Sequence, residues 1–313
     1  MNSIVGRLIQ ILALGVLAVT YGPVLIELVR DWIRDPNYQH GFLMPVISGY
    51  LVWNVRKDLR AASAKGSIWG LVGLLLSGTL FALGTAGAEA FTQRVSFVTT
   101  LASLVLFLYG WRFLRLTIFP IAFLLLAIPL PYVIYYGLTA PMQALAAKVA
   151  IFGMNVFGVQ AVGQGNMIHL SATSLEVAEA CSGIRSLYAF LAVGALVANF
   201  TPAPLWGQIV IFLLAIPMSV VGNAIRVLGT GLGAYLIGPE ATEGTVHELF
   251  GLLVFVISLG IFMLIKHLAG KVWLSDTSSP SSSSPSPASM PVASGQEETS
   301  RRRSLHWSDF PES

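Results

Sequence analysis

Residues 205–237, L-W-G-Q-I-V-I-F-L-L-A-I-P-M-S-V-V-G-N-A-I-R-V-L-G-T-G-L-G-A-Y-L-I, decide the fold. This run carries a single charged side chain, Arg226. It exceeds the roughly 20 apolar residues that cross the hydrocarbon core of a bilayer as a helix, and Pro217 gives it a point at which to bend. Similar apolar runs lie on both sides of it. The whole chain is 55% hydrophobic and 11% charged, against about a quarter charged in soluble domains. The expected fold is therefore an all-α polytopic membrane protein.

Eight membrane helices are expected, over about 5–29, 41–54, 67–86, 95–111, 116–137, 182–200, 205–237 and 245–267. The first follows Arg7 like the core of a signal peptide, but no small-residue cleavage site follows it, so it reads as a retained helix. Basic residues near span ends mark the cytoplasmic side. Arg56, Lys57, Arg60 and Lys65 follow the second span, Arg112 and Arg115 the fourth, and Lys266 and Lys271 the last. The opposite loops carry Glu27, Asp31, Asp35, Glu89, Glu176, Glu179, Glu240 and Glu243. That alternation puts both termini inside and the acidic loops outside. The net charge of +3 is small, and no nucleic-acid partner is inferred from it.

The one long external connection covers about 138–181. Residues 141–158 have helical apolar spacing and read as a helix lying in the outer interface. Gly163, Gly165 and Asn166 then separate two short β-prone pieces, so a small strand pair is expected just before Cys181. From Ser275 the composition turns to Ser and Pro, ending in Arg301, Arg302 and Arg303. This divides the chain into a membrane domain, 1–270, and a disordered cytoplasmic tail, 271–313.

Cys181 is the only cysteine, which excludes an internal disulfide and a Cys-rich metal site. No metal or other cofactor is expected. Ionisable or reactive groups inside membrane spans are costly, and each asks for an explanation. Cys181, Arg185, Arg226 and His247 qualify. If the helix begins at 182, Cys181 and Arg185 share a face and the guanidinium favours the thiolate. Each residue also has a bland reading: a lone Cys is often buried, an Arg near a helix end snorkels, and a His at a helix start is interfacial. The charge topology, built without these residues, nevertheless puts Cys181, Arg226 and His247 at one outer level. Those are the parts for thiol acyl transfer: a nucleophile, a proton carrier and an oxyanion partner. Asn223 shares the helical face of Arg226, and Glu176, Glu179, Glu243 and Glu248 are alternative orienters of the histidine.

The segments E-A-C-S-G-I-R-S-L (179–187), N-A-I-R-V (223–227) and H-E-L-F-G (247–251) resemble the exosortase/archaeosortase family of membrane cysteine transpeptidases. Y-Q-H-G-F-L-M-P-V-I-S-G-Y-L-V-W (38–53) and A-I-P-L-P (127–131) also look like family hallmarks, so the resemblance covers about residues 30–265. It implies that Cys181, Arg226 and His247 are catalytic, with Arg185 on the arginine of the cysteine motif. Tyr38, His40 and Pro45 fall on family positions near the outer face, as support or substrate contacts. It further implies a bacterial inner-membrane enzyme whose active site faces the periplasm. The implied substrates are exported proteins bearing a C-terminal motif, a membrane helix and a basic end, passed to an acceptor through a thioester on Cys181. Membrane lipids are the other expected partner. The alternatives are hydrolysis, with water as acceptor, and a transporter in which Arg226 and Asn223 line a pathway.

Overall fold

The structure, a computed structural model, describes residues 4–165, 167–170, 174–176, 183–238 and 244–276. The chain divides into one large compact unit, Met1–Trp273, and a second unit, Leu274–Ser313. The tail expected to be disordered lies, beyond Asp276, outside the described residues.

Within the large unit the helices are α1 (Ile4–Arg34), α2 (Leu43–Asn54), α3 (Arg56–Ala61), α4 (Ile68–Ala86), α5 (Ala90–Tyr109), α6 (Trp111–Phe123), α7 (Tyr132–Val156), α8 (Ile184–Phe200), α9 (Leu205–Leu236) and α10 (Gly244–Asp276), the last ending in the second unit. Two short 3-10 helices, Pro36–Phe42 and Leu124–Ala127, interrupt the series. The protein is helical and apolar enough to be a multi-pass membrane protein, as expected. The count of eight spans is not reproduced. Among the described residues five helices are long and apolar enough to cross: Gly6–Arg34, Ile68–Ala86, Ala90–Tyr109, Leu205–Leu236 and His247–Leu268. A sixth exists if Trp111–Ala127 and Tyr132–Val156, bent by 77° at their break, form one span.

The differences have local causes. The stretch expected as one span over 116–137 is interrupted at Ile128–Pro131, where Pro129 and Pro131 end one helical segment and start another. The piece expected as a separate interfacial helix is consequently the latter part of α7. The second expected span is a 3-10 turn followed by α2, whose 12 residues rise only about 18 Å. The sixth is α8, 17 residues or about 25 Å.

Charge is segregated along the helix array. Gln10, one turn from Arg7, donates to the Tyr109 hydroxyl at 2.9 Å, and Lys65 N donates to the Tyr109 carbonyl at 3.2 Å. α3, with Arg56, Lys57 and Arg60, touches α6, which opens with Arg112 and Arg115. One end of the array is therefore basic. At the other, Arg94, 6% exposed, reaches Asp31 at 2.5 Å and ties the end of α1 to the start of α5, where Glu89 caps the first turn.

The 3-10 segment 36–42 sits at this acidic end and repairs the proline break. Trp32 Nε1 donates to the Ala127 carbonyl at 2.8 Å, and His40 Nε2 lies 3.1 Å from the Leu126 carbonyl. Carbonyls freed from a helix in a low-dielectric setting need such partners. Gly41 is required here, because a Cβ would fall 2.3 Å from the Trp32 indole nitrogen. Leu28, Trp32, Tyr38, Phe123, Tyr135 and Tyr188 then close a core that joins α1, α6, α7 and α8.

After α7 the chain forms a small antiparallel sheet in the order β1 (Ala161–Gln164), β2 (Met167–Leu170), β3 (Ser174–Glu176). The expected strand pair thus has a third member, three residues long, which periodicity cannot reveal in so short a piece. Ile168, fully buried, and Ala161 rest on Ala147, Ala150 and Met154 of α7, and the Asn155 side chain bonds both backbone groups of Ala161. The sheet is therefore anchored on α7 just upstream of α8.

Candidate active site

α8 begins at Ile184, and Gly183 before it has φ +84°. That φ favours glycine, and α8 starts directly after it; the face expected to join Cys181 to Arg185 involves a residue outside the described ones. Cys181 and Glu179 themselves lie outside the described residues. Gly183 is pressed against α9: a Cβ would stand 2.7 Å from Asn223 Cγ. Ser186 Oγ returns a hydrogen bond to the Gly183 carbonyl at 2.8 Å and steadies the turn.

Asn223 is buried in α9, and Arg226 follows one turn later. Arg226 Nη2 lies 2.9 Å from His247 Nε2 in the first turn of α10. A guanidinium only donates, so Nε2 accepts and the imidazole in this contact is neutral, with its proton on Nδ1. Nδ1 faces Thr230 Oγ1, one turn along α9 from Arg226, at 3.5 Å. Gly251 of α10 lets the guanidinium lie close, since a Cβ there would meet Nε at 2.9 Å. Nε is buried without a hydrogen-bond partner among the described residues.

Arg185, Asn223, Arg226 and Glu248 line one cavity of about 470 Å³ between α8, α9 and α10. Five of the side chains singled out by sequence are thereby gathered: Arg185, Asn223, Arg226 and Glu248 in the cavity wall and His247 against Arg226. Arg226 is not at the end of its helix, because α9 runs on to Leu236, about 15 Å further.

Tyr38 and His40 do not reach this cavity. They pack on the opposite face of α8, where the His40 ring stacks on Tyr188 at 4.7 Å and Tyr38 meets it edge-on at 5.7 Å. Asn37 donates to the Tyr135 hydroxyl at 3.1 Å and extends the same cluster to α7. Pro45 lies in the first turn of α2 and is exposed. Sequence reasoning missed Trp32, Asn37, Tyr135 and Tyr188, which brace α8 from behind. It also missed Gly183 as a backbone joint, although a glycine directly before an apolar helical run is the available signal.

No curated protein and no solved structure matches the chain. Residues 32–264, well over half of the chain, match the family model described as transmembrane exosortase, and that span contains α8, α9, the Arg226–His247 contact and the proline break with its caps. The chain belongs to the transmembrane exosortase family.

Proposed function

We propose that the protein is a membrane cysteine transpeptidase that cleaves exported proteins within a C-terminal sorting signal. The observation that carries the reading is the 2.9 Å contact between Arg226 and a neutral His247 beside a cavity whose wall residue Asn223 packs against Gly183. Cys181 is two residues from Gly183, and two residues of chain span at most about 7 Å, so its backbone is tethered close to the Gly183–Asn223 contact.

In this mechanism Arg226 Nη2 turns from His247 Nε2 to the substrate, Nε2 takes the proton of the Cys181 thiol, and the sulfur attacks the scissile carbonyl. Arg226, with donors to spare, takes the oxyanion, and the structural fact that supports this is its Nε, which has no hydrogen-bond partner among the described residues. His247 then protonates the leaving amine, the C–N bond breaks, and a thioester remains on Cys181. An acceptor amine attacks the thioester, His247 removes its proton, and the thiol is regenerated. Arg185 and Glu248 flank the entry of substrate, and Asn223 holds the turn that carries the nucleophile.

The outer-face location is supported by charge. The site lies with the 3-10 segment and α8 start at the acidic end, away from Arg56, Arg60, Lys65 and Arg112, and basic ends face the cytoplasm. The reaction belongs to residues 1–270 in the bacterial inner membrane, with the tail 271–313 on the cytoplasmic side.

The test is co-expression with a reporter ending in a motif, a membrane helix and a basic segment taken from an exported protein of the same genome. Wild type shortens the reporter and Cys181→Ala does not; equal processing by both rejects the reading. Mass spectrometry of the released C-terminus separates transfer, which leaves an adduct, from hydrolysis, which leaves a free carboxylate.

A further inference from the structure

The cavity does not end at the Arg226–His247 pair. It continues between α8, α9 and α10 to Ser219 and Ser258. At 1.5 Å per residue these lie about 10 Å along α9 from Arg226 and about 16 Å along α10 from His247, toward the interior of the bundle. Phe190, Val254 and Phe255 make the rest of this inner arm apolar.

Ser219 is completely buried, lines the cavity, and its hydroxyl has no hydrogen-bond partner among the described residues. Three other buried hydroxyls avoid this state: Thr139 donates to the Tyr135 carbonyl at 3.0 Å, Thr201 to Val197 at 2.6 Å, and Ser48 to Pro120 at 2.8 Å. A hydroxyl left unmatched in an apolar setting is costly, so a helical serine normally bonds back to its own preceding turn. Across the arm, Gly222 gives the Ser258 hydroxyl room, since a Cβ would fall 2.6 Å from it. Asn223, 4% exposed, stands between Ser219 and Arg226. The result is a line of neutral hydrogen-bonding groups running from the reactive pair into an apolar cleft.

We infer that this inner arm holds an unwound stretch of substrate polypeptide, the residues that join the scissile bond to the substrate's membrane helix. The inference rests on the transpeptidase reading and adds a binding subsite to it. A peptide bond can be attacked only when it is free of helical hydrogen bonding, and at bilayer depth each unwound amide and carbonyl needs a protein partner. Ser219 and Ser258 supply those partners for the backbone, so the arm accepts varied side chains. A lipid tail needs no hydrogen bonds and leaves the hydroxyls stranded.

The experiment uses the full chain in membranes with the same reporter. A benzophenone amino acid replaces Leu252, a cavity-lining residue, in the Cys181→Ala background, and the cross-linked partner is sequenced. The expected product joins position 252 to reporter residues between the motif and its helix. In wild-type background, Ser219→Ala with Ser258→Ala raises KM about five- to twentyfold with kcat nearly unchanged, as loss of one or two backbone hydrogen bonds demands. Cross-linking to lipid, or to the reporter only within its helix, overturns the subsite while wild-type processing continues. So does an unchanged KM in the double variant. If Cys181→Ala processes the reporter as wild type does, the transpeptidase reading itself falls, whatever the cross-link shows.

Discussion

Replacing Gly183 with alanine tests the joint between the cysteine segment and α8. Two costs add. At φ +84° a Cβ meets the backbone, which costs roughly 1–2 kcal/mol for an L residue. The new methyl also sits 2.7 Å from Asn223 Cγ and 2.9 Å from its Nδ2, and Asn223 is 4% exposed and hemmed into α9. Overpacking of that kind costs about 1–3 kcal/mol. The turn yields before α9 does, because it is a single residue outside a helix. A displacement near 1 Å at the nucleophile lowers the rate by about a hundredfold. The assay is reporter processing in membranes, with thermal unfolding in detergent measured alongside. Gly49→Ala is the control, since nothing lies within 4 Å of a Cβ there. Asn223→Gly added to Gly183→Ala removes the clash and leaves the backbone strain. If Gly183→Ala keeps processing within twofold of wild type, the joint does not position the nucleophile and the reasoning fails.

Arg226→Lys is expected to lose about a hundred- to a thousandfold in kcat with folding intact, because an ammonium cannot reproduce the planar fork that reaches both His247 and an oxyanion; near-normal turnover removes Arg226 from the oxyanion role. Asp31→Asn leaves Arg94 buried without its charge partner and is expected to destabilise by about 3 kcal/mol, with much of the loss recovered by Arg94→Met in addition. Denaturation midpoints of the two variants check this, and equal stability of Asp31→Asn and wild type refutes it. Burial lowers the His40 pKa, partly offset by its backbone hydrogen bonds. Its unfolded form therefore takes up a proton first as pH falls, so the stability it contributes is complete above about pH 6.5 and declines below that value. Thermal unfolding of wild type and His40→Gln from pH 7 to pH 5 should converge on the acid side; parallel curves exclude His40 as the titrating group.

The residues that the sequence exposed most clearly were those whose placement is expensive. A guanidinium and an imidazole in long apolar runs raise an alarm on one chain alone, and Arg226 and His247 do meet in the structure. Neutral groups raise none: Ser219 and Ser258 are unremarkable in an apolar helix, and only their position on one cavity gives them meaning. The Asp31–Arg94 pair was hidden because its members are far apart in sequence and each looked like an ordinary loop-end charge. Proline at 129 and 131 is visible, yet hydropathy continues smoothly across the break, so the sequence predicts one span over 116–137 where the flanking helices are bent by 77°. The stack of Tyr188 on His40 depends on a tertiary contact that no periodicity encodes.

The cap on the proline break also constrains how such a chain can diverge. Trp32 holds the Ala127 carbonyl only while residue 41 has no side chain, and residue 41 is free to be glycine only because a 3-10 turn brings it under the indole. A larger residue at 41 expels the indole, which strands the carbonyl at the break and loosens the bend that α7 departs from. Positions 32, 41 and 127–131 are therefore expected to change together or not at all, and a homologue that straightens α6 into α7 should be released from all three restraints at once.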